Sequence, residues 1–276
     1  MDYAANVHSQ YGEDGILAKI LELLPVKDRW SVEFGAWDGE HLSNTYALVS
    51  RGGYSAVFIE ADRNRYADLV QRFSGNKNVI SVNTFVGFGA NDSLDRILAD
   101  KPIPEDFDVL SIDIDGNDYH VWNAMSVYTP KIVCIEFNQT IPTEVEFVQP
   151  ADPQLNQGAS LLSLVGLGRR KGYELVCVTH NNAIFVRSAY FPLLGISNNE
   201  PRTLREDVSA VTYLFSGYDG RLFVRGREFL GHHDIRIANR LRQLPKCFRS
   251  YPPNFGRLTR WSYKVYRRVT RLLGRA

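Results

Sequence analysis

Short apolar runs alternate with amphipathic segments over the first 187 residues. An opening helix is predicted from Gln10 to Leu24, because five apolar side chains fall on one helical face: Ile16, Leu17, Ile20, Leu23 and Leu24. Strands are predicted at Trp30–Phe34, Ala56–Glu60, Val79–Asn83, Val109–Asp113 and Ile132–Phe137, with helical stretches near residues 41–51, 63–73, 91–99 and 117–126. This alternation is typical of a parallel sheet with helices on both faces.

The pattern changes after a further helix predicted at residues 160–171. Two strands, Tyr173–Thr179 and Ala183–Arg187, are separated by His180-Asn181-Asn182, a turn sequence suited to a hairpin. Five crossover strands followed by a hairpin predict an α/β fold with a Rossmann-like, seven-stranded sheet, mostly parallel with one antiparallel member. In dinucleotide dehydrogenases, by contrast, the last strand of the sheet is usually a sixth parallel strand.

The regular alternation ends near residue 190, where proline and glycine break the chain into short pieces. A second hairpin is predicted from Tyr213–Phe215 and Leu222–Val224, and a helix from Asp234 to Gln243. The sequence therefore predicts three parts. Residues 1–190 form the α/β domain, residues 191–253 form an elaboration packed on the sheet, and residues 254–276 form a basic C-terminal extension.

Composition excludes several classes of protein. A chain of 276 residues with 44% hydrophobic content can bury a full-sized core. Three cysteines are too few for a disulfide scaffold or a zinc cluster. Because no signal peptide and no apolar run long enough to span a bilayer are visible, we expect a cytoplasmic protein.

The formal net charge of +1 conceals a split along the chain. Residues 201–276 hold 17 of the 32 Lys and Arg but only 5 of the 31 Asp and Glu, a net charge of +12. Residues 1–200 carry the rest, a net charge of −11. An acidic body with a basic end is typical of a protein whose end meets an anionic partner.

The basic end contains a predicted helix at residues 257–273. Its apolar positions recur at three- and four-residue steps and form a stripe: Leu258, Trp261, Val265, Val269 and Leu272. Arg and Lys fill half of the other positions. Such a helix fits an anionic membrane surface, so we expect peripheral attachment to the inner face of the membrane. Docking on the acidic body or on a second subunit, as in a homodimer, would explain the same pattern. The absence of a recognised nucleic-acid module in the sequence argues against a nucleic-acid partner.

Candidate chemistry begins where the first predicted strand ends, in Glu33-Phe34-Gly35-Ala36-Trp37-Asp38-Gly39. Ligands of open α/β sheets bind beyond the carboxyl ends of the strands, where a glycine permits a tight turn. The dinucleotide fingerprint G-x-G-x-x-G needs its second glycine at the position of Trp37, so a pyrophosphate is disfavoured. S-adenosylmethionine has no phosphate, and its ammonium group favours an acid such as Glu33 or Asp38.

The next two strand ends supply further polar groups. Glu60 ends the second strand, where a carboxylate can accept hydrogen bonds from both ribose hydroxyls. Asn83 ends the third strand and could contact the adenine edge. Alternatively, Gly35 is an ordinary strand–helix turn and Glu60 is a solvated strand end.

These segments resemble known families. Glu33-Phe-Gly35, Asp38-Gly39, Glu60 and the terminal hairpin are similar to those of Rossmann-like S-adenosylmethionine-dependent methyltransferases. Ser9-Gln10-Tyr11-Gly12-Glu13-Asp14-Gly15 resembles the FkbM-type family, whose members often methylate hydroxyls of sugars and glycosylated natural products. The resemblance covers roughly residues 8–187 and departs from the common loop E-x-G-x-G-x-G at Trp37. It implies S-adenosylmethionine as the cofactor, bound by Glu33, Gly35, Asp38, Asn44, Glu60, Ala61, Asn83 and Asp113.

Acids also follow the fourth and fifth strands. The fourth runs into Asp113-Ile114-Asp115-Gly116, and the fifth ends in Glu136-Phe137-Asn138. Hard oxygen ligands at adjacent strand ends suit Mg²⁺ or Ca²⁺ rather than zinc. This pairing is similar to metal-dependent sugar O-methyltransferases of the macrocin type. The resemblance implies a site for a divalent cation, Mg²⁺ first, at Asp113, Asp115, Glu136 and Asn138.

Two alignments of these acids with that family remain open. In the first, Asp113 is a ligand and Asp115 the base; in the second, Asp115 is the ligand and Asn117 replaces the next acid. A sugar hydroxyl needs a base or a metal to become a nucleophile, so the candidate catalytic residues are Asp113, Asp115 and His120. Alternatively, the acid-rich loop only caps the helix that starts near Asp118, and His120 is a packed or solvated histidine.

The sequence thus predicts an S-adenosylmethionine-dependent O-methyltransferase. Its acceptor would be a glycan or glycolipid, such as a lipid-linked or surface-polysaccharide precursor. Two alternatives remain: an RNA-directed methyltransferase that grips nucleic acid with its basic tail, and a non-catalytic nucleotide-binding or scaffold protein.

Overall fold

Seven strands form one sheet: β1 (Trp30–Phe34), β2 (Ser55–Glu60), β3 (Val79–Asn83), β4 (Val109–Ile112), β5 (Ile132–Glu136), β6 (Tyr173–Val178) and β7 (Asn182–Arg187). Their order is β3-β2-β1-β4-β5-β7-β6. β7 pairs antiparallel with both of its neighbours, whereas the pairs among β1 to β5 are parallel. The predicted Rossmann-like, seven-stranded fold with a C-terminal antiparallel hairpin is confirmed.

The chain divides into two units, Met1–Val208 and Ser209–Ala276. The computed structural model describes residues 2–230, 235–237, 245–249 and 256–272. Residues 191–208 belong to the first unit, and the domain boundaries proposed at residues 190 and 253 stay predictions. Within the described ranges, no helix combines the length and the apolar character needed to cross a membrane.

The helices of the first unit are α1 (Glu13–Leu23), α2 (Tyr46–Gly52), α3 (Arg63–Arg72), α4 (Leu94–Leu98), α5 (Asp118–Ala124), α6 (Leu161–Arg170) and α7 (Pro201–Leu204). Asp62, Ser93 and Ser160 cap α3, α4 and α6, because each side chain accepts a hydrogen bond from a backbone N–H of the first turn. These local caps explain why α3 and α6 begin close to their predicted starts.

Strand side chains alternate between two apolar layers, as the period of two requires. Leu110 of β4 faces the layer that contains Trp122 of α5 and Leu164 of α6. The next position back, Val109, faces the layer that contains Leu17 of α1. Apolar side chains therefore cover both faces of the sheet. The loops that bear the candidate site residues follow the carboxyl ends of the parallel strands.

Three helices begin later than the hydrophobic pattern predicts, and one of them is α4, which begins at Leu94 rather than near residue 91. α1 begins at Glu13 rather than Gln10, because Gly12 adopts a left-handed φ of 97°. α2 begins at Tyr46 rather than near residue 41, because the hydroxyls of Ser43 and Thr45 each donate to buried Glu33 at 2.6 Å. Tertiary hydrogen bonds thus hold the preceding residues in loops.

A buried ion pair closes the amino-terminal edge of the sheet. Asp108, directly before β4, accepts hydrogen bonds from the backbone N–H groups of Asp28 at 3.1 Å and Arg29 at 2.9 Å. The ammonium group of buried Lys131, directly before β5, lies 3.0 Å from the Asp108 carboxylate and also donates to the Asp28 carboxylate. These charges tie together the starts of β1, β4 and β5.

The second unit contains β8 (Thr212–Ser216) and β9 (Leu222–Gly226), which pair antiparallel and confirm the second predicted hairpin. It also contains the short strands β10 (Phe229–Leu230) and β11 (Ile235–Arg236), which pair antiparallel, and α8 (Arg257–Leu272), which matches the predicted tail helix. The helix predicted from Asp234 to Gln243 is wrong at Ile235 and Arg236, because β-branched Ile235 pairs with Leu230 instead. Asp234 and residues 238–243 lie outside the described residues.

Replacing Lys131 with methionine is expected to lower the free energy of unfolding by about 3–5 kcal/mol, because Asp108 would remain buried without its cation. Urea unfolding followed by tryptophan fluorescence measures this change. Adding Asp108→Asn to Lys131→Met should restore part of the stability, since no unpaired charge then remains. The surface pair Lys101–Asp100 supplies the control, and Lys101→Met should cost less than about 1 kcal/mol. Equal losses at Lys131 and Lys101 would contradict the role given to the buried pair.

Candidate active site

The loops that follow β1 and β4 meet where the strand order reverses. Phe34 pairs with Ile112, so Gly35 and Asp113 open the two loops. A Cβ atom at Gly35 would lie 1.9 Å from the carbonyl oxygen of Asp113, and Gly35 adopts a left-handed φ of 73°. Only glycine permits this approach, which sets the β1 loop directly against the acids beyond β4.

Glu60 connects the β1 loop to the end of β2. Its buried carboxylate accepts hydrogen bonds from the backbone N–H groups of Trp37 and Asp62, each at 2.8 Å. Each carboxylate oxygen keeps a second lone pair, so these contacts orient the group without exhausting it. The side-chain amide of Asn83 donates to the carbonyl oxygens of Glu60 at 2.8 Å and Ala61 at 3.2 Å. The structure thus brings these suggested cofactor residues together, and their contact with a cofactor stays a prediction.

Glu33, suggested for the ammonium group, has several partners inside the protein. Its carboxylate accepts hydrogen bonds from the Ser43 and Thr45 hydroxyls and from the backbone N–H of Asn44 at 3.0 Å. Burial raises the pKa of Glu33 above its ordinary value, and these hydrogen bonds offset only part of that rise. The side chain of Asn44 donates to the Ser111 hydroxyl at 3.1 Å. Both residues therefore fix the segment before α2, and their contact with a cofactor stays a prediction.

Asp38, the second acid suggested for the ammonium group, pairs with Arg72. The guanidinium Nη2 lies 2.7 Å from one carboxylate oxygen, and the other oxygen accepts the backbone N–H groups of Glu40 and His41. Partial burial raises the pKa of Asp38, but the hydrogen bonds and Arg72 outweigh it and hold the pKa below its ordinary value. The carboxylate thus organises the β1 loop, and its ligand role also stays a prediction.

Three carboxylates meet beyond β4 and β5, and we call them the acid cluster: Asp113, Asp115 and Glu136. One oxygen of each lies within 4.8 Å of the others. Ile112 pairs with Ile135 in parallel register, so Asp113 and Glu136 follow side by side. Asp115 adopts a left-handed φ of 57°, which aspartate tolerates better than most residues. The structure therefore brings together three of the four residues suggested as metal ligands.

The acid cluster is electrostatically crowded. Burial raises the pKa values of Asp113 and Glu136, and repulsion among the neighbouring acids raises them further. A hydrogen bond between these two carboxyl groups opposes the rise for Asp113. A cation would relieve this repulsion, and a donor set of carboxylate oxygens suits a hard divalent ion.

Asn138, the fourth suggested ligand, makes contacts within its own loop. Its side-chain oxygen accepts the backbone N–H and the hydroxyl of Thr140, at 2.9 and 2.6 Å. Its side-chain nitrogen donates to the carbonyl oxygen of Gln157 at 2.7 Å. These bonds stabilise the loop after β5, and a ligand role for Asn138 stays a prediction.

Asp118 shapes the loop that carries two members of the acid cluster. Its buried carboxylate accepts the backbone N–H groups of Ile114 at 3.0 Å and Gly116 at 2.9 Å. The Asn117 side chain donates to the carbonyl oxygen of Asp152 and makes no cap bond to α5. The loop is thus more than a helix cap. The sequence gives no signal for this role of Asp118 in holding the loop, because an aspartate shortly after a glycine is a common pattern.

His120 contacts the backbone of a neighbouring loop. Its Nε2 lies 2.8 Å from the carbonyl oxygen of Gln149, and because a carbonyl only accepts, Nε2 donates. Its ring also packs 5.5 Å from the rings of Phe88 and Tyr119. The packed interpretation accounts for these contacts, and a catalytic role through Nδ1 stays a prediction.

Two residues that the sequence analysis does not propose as site residues also lie at this edge of the sheet. Asn181, on the turn between β6 and β7, hydrogen-bonds the Glu136 carboxylate and opposes the rise in its pKa. Buried Glu13 accepts hydrogen bonds from the Thr179 hydroxyl at 2.6 Å and the Asn182 amide at 3.1 Å. The Gly12-Glu13-Asp14 motif marks Glu13 in the sequence, but its partners lie 166 and 169 positions later.

No family model matches the chain, and no curated protein sequence matches it. Among solved structures, a SAM-dependent methyltransferase from Aquifex aeolicus is 11% identical with a TM-score of 0.39, over 63% of this chain and 89% of that one. The N-terminal domain of EvdMO1 with SAH bound is 10% identical with a TM-score of 0.36, over 66% and 98%. An O-methyltransferase family protein from Burkholderia thailandensis is 10% identical with a TM-score of 0.40, over 63% and 57%.

Glu136→Gln is expected to stabilise the protein in the presence of a chelator. Burial and the neighbouring acids raise the pKa of Glu136, so at neutral pH the folded protein must hold a proton there that the unfolded chain releases, and glutamine removes this cost. At neutral pH the melting temperature should rise by roughly 2–4 °C, about 1 kcal/mol for a chain of this size. The folded-state pKa of Glu136 lies above its ordinary value of 4.5, so the wild-type protein loses stability as the pH rises past that value. The difference between variant and wild type should therefore be small near pH 4.5 and grow toward pH 8.

The matched control is Asp68→Asn, which removes an exposed carboxylate from α3. It should move the melting temperature by no more than roughly 1 °C at either pH. A lower melting temperature for Glu136→Gln at neutral pH would mean that the acids of the cluster do not repel one another.

Proposed function

We propose that this protein is an S-adenosylmethionine-dependent methyltransferase that methylates a sugar hydroxyl with the help of a divalent cation. The observation that carries the proposal is the acid cluster beside Gly35, at the reversal of strand order. Ligands of open α/β sheets bind at this edge. Trp37 occupies the position where a dinucleotide site needs glycine, which favours a cofactor without a pyrophosphate.

The cofactor would lie over the loops that follow β1, β2 and β3. Glu60 is held by two backbone N–H groups and keeps lone pairs for the ribose hydroxyls. Asn83 and Ala61 lie beside it, on the side proposed for the adenine. Gly35 allows the methionine end to approach the backbone next to Asp113.

Asp113 and Glu136 would hold a divalent cation, and Mg²⁺ suits their carboxylate oxygens. When bound, the cation lowers the pKa of an acceptor hydroxyl. Asp115 is the exposed member of the acid cluster, so it is the one best placed to accept the hydroxyl proton. This assignment follows the alignment in which Asp113 is a ligand and Asp115 the base.

In the proposed transfer, a lone pair of the acceptor oxygen forms the bond to the methyl carbon. The carbon–sulfur bond breaks, and its electron pair stays on sulfur, which becomes a neutral thioether. The hydroxyl proton passes to the Asp115 carboxylate and then to solvent. The products are a methyl ether and S-adenosylhomocysteine. The sulfonium is already a good leaving group, so the protein mainly aligns the reacting atoms and removes the proton.

A sugar hydroxyl as the acceptor is supported by the resemblance of residues 9–15 to the FkbM-type motif. The acid cluster is consistent with it, because a hydroxyl is a weak nucleophile at neutral pH and needs activation. A lipid-linked or surface-polysaccharide precursor would also account for a membrane-binding surface elsewhere on the chain.

We further propose that α8 attaches the protein to the inner face of an anionic membrane. Its apolar stripe is exposed to solvent, with exposed fractions of 83% for Leu258, 66% for Trp261 and 87% for Leu272. The rings of Tyr263 and Tyr266, on another face of α8, lie 5.8 and 5.6 Å from that of Phe248. The stripe is therefore not the face that packs against Phe248.

Cations lie beside this stripe, and α8 contains no acidic residue: the basic positions are Arg257, Arg260, Lys264, Arg267, Arg268 and Arg271. An exposed apolar stripe next to uncompensated positive charge suits the headgroup layer of anionic lipids. Attraction and burial together give reversible attachment without insertion.

Calorimetry on the full chain tests the cofactor. S-adenosylmethionine and S-adenosylhomocysteine should bind, and NAD should not. Glu60→Ala should weaken S-adenosylmethionine binding by about 10- to 100-fold, because hydrogen bonds to the ribose are lost. Chelation should abolish methyl transfer to glycolipid acceptors while leaving cofactor affinity largely unchanged.

Asp68→Asn again serves as the control and should retain wild-type affinity. Unchanged affinity in Glu60→Ala would remove Glu60 from the site. Failure of the wild-type chain to bind S-adenosylmethionine would favour the non-catalytic alternative. Full turnover after exhaustive chelation would leave Asp115 or His120 as a base that works without metal.

Vesicle co-sedimentation tests the membrane proposal. Changing Arg260, Lys264 and Arg267 together to glutamine should weaken binding to equimolar phosphatidylcholine–phosphatidylglycerol vesicles by roughly 100-fold, at about 1 kcal/mol per charge. Trp261→Ala should weaken the binding that persists at high salt, where apolar burial dominates.

A matched triple variant removes exposed basic residues from the first unit: Arg51, Lys77 and Arg202. It should bind the vesicles as the wild type does. Equal binding by both triple variants would contradict the proposal. Salt-sensitive retention of RNA without vesicle binding would favour the RNA-directed alternative, and loss of a dimer in the α8 variant would assign the helix a structural role.

A further inference from the structure

A cavity of about 400 Å³ opens in the first unit beside the turn between β6 and β7. Its walls come from the residues before α1 and from that turn, with residues 206–207 on the third side. No residue proposed for the cofactor, the cation or catalysis lines this cavity. Six of its lining residues bear on what it could bind: Asn6, Gln10, Tyr11, Thr179, His180 and Asp207.

Two rings form one wall of the cavity. The ring centroids of Tyr11 and His180 lie 4.7 Å apart. Nδ1 of His180 lies 2.6 Å from Oδ2 of Asp207, and because an ionised carboxylate only accepts, Nδ1 carries a proton. The imidazole orientation is thereby fixed, and Nε2 remains as its second polar atom.

Buried carboxylates hold this wall in place. Glu13 accepts the backbone N–H of Tyr11 at 2.8 Å and the hydroxyl of Thr179 at 2.6 Å, so one side chain fixes both halves of the wall. Asp14 accepts three successive backbone N–H groups, those of residues 7–9, at 2.7–2.8 Å. The walls are therefore built before any ligand arrives, which lowers the entropy cost of binding.

The polarity of the lining selects the class of ligand. Among the described residues that line the cavity there is no Lys or Arg, while Glu206 and Asp207 are acidic. A phosphate group is therefore disfavoured. A neutral, polyhydroxylated ring matches the wall better, because its C–H face can pack on an aromatic ring while its hydroxyls pair with amide and imidazole groups.

The cavity lies next to the acid cluster along the same edge of the sheet. Asn181, the residue after His180, accepts at its carbonyl oxygen the backbone N–H of Phe137, the residue after Glu136, at 2.8 Å. In the sheet, β7 lies between β5 and β6. The end of β6 therefore lies two strand spacings, roughly 10 Å, from Glu136 at the end of β5. A sugar ring in the cavity can thus belong to the same glycan as a ring whose hydroxyl reaches the cluster.

We propose that this cavity is an acceptor subsite that binds a pyranose ring, packed on Tyr11 and hydrogen-bonded by Gln10 and His180. The identity of the ring as part of the methyl acceptor rests on the proposed function, but its binding does not require turnover. Asp207 is a positioning residue, since it acts by fixing the imidazole of His180.

Saturation-transfer NMR on the full chain with methyl α-hexopyranosides of the manno, galacto and rhamno series tests the subsite. At least one of them should show transfer with the wild type, and its affinity should fall at least about tenfold in Tyr11→Ala and in His180→Ala. Tyr11→Phe keeps the ring and should stay within about threefold of the wild type. Tyr213→Ala removes an exposed tyrosine of the second unit and should bind the sugar as the wild type does.

Calorimetry with S-adenosylmethionine on the same variants separates this proposal from the proposed function. Unchanged cofactor affinity in the Tyr11 and His180 variants, together with lost sugar binding, supports the subsite and shows that the variants are folded. Sugar binding that depends on Tyr11 in a chain that binds no S-adenosylmethionine would sustain the subsite and overturn the proposed function. No transfer from any of the three sugars, or equal affinity in Tyr11→Ala and wild type, would overturn the subsite.

Discussion

The approach of the β1 loop to the β4 loop is the constraint on which the candidate site depends. At Gly35 the two backbones come so close that even a Cβ atom would overlap the carbonyl oxygen of Asp113. Trp37, two residues on, takes a left-handed conformation and donates its backbone N–H to the Glu60 carboxylate. One close contact therefore aligns the loop proposed for the cofactor with the acid cluster, and the reversal of strand order creates the space above both.

Buried acids serve two physical roles in this protein. Glu13, Glu33 and Asp118 each accept hydrogen bonds from hydroxyl, amide or backbone N–H donors, and these bonds hold loops at the carboxyl edge of the sheet. In the acid cluster, by contrast, the neighbours of Asp113 and Glu136 are mostly other acids, which repel their charge. The contrast shows that the acid cluster lowers the stability of the fold, because acids satisfied by donors stabilise a fold and crowded acids do not.

The order along the chain and the type of most elements can be predicted from the sequence, because both follow from the local pattern of apolar and polar residues. The proximity of Asp113 and Glu136 can also be predicted, because adjacent parallel strands end at the same edge of the sheet. The helix predicted at Asp234–Gln243 failed at Ile235, where pairing with Leu230 outweighed a helical pattern. Glu33 shows another limit. The sequence places Glu33 near the end of β1, but nothing in the sequence identifies Ser43 and Thr45 as its hydrogen-bond partners.

The seven-stranded α/β fold, the acids at two strand ends and the basic, amphipathic tail can all be predicted from the sequence alone, because hydrophobic periodicity and charge depend on residues close together in the chain. Which acids crowd together and which are satisfied by donors depends instead on how the chain folds. The tertiary structure also determines that Glu13 at the start of α1 fixes the turn carrying Thr179, and that His180 meets Asp207 and Tyr11 around a cavity. The physical reason is that a hydrogen bond or a repulsion depends on distances of a few ångströms, and residues far apart in the chain reach such distances only once the sheet has assembled around its core.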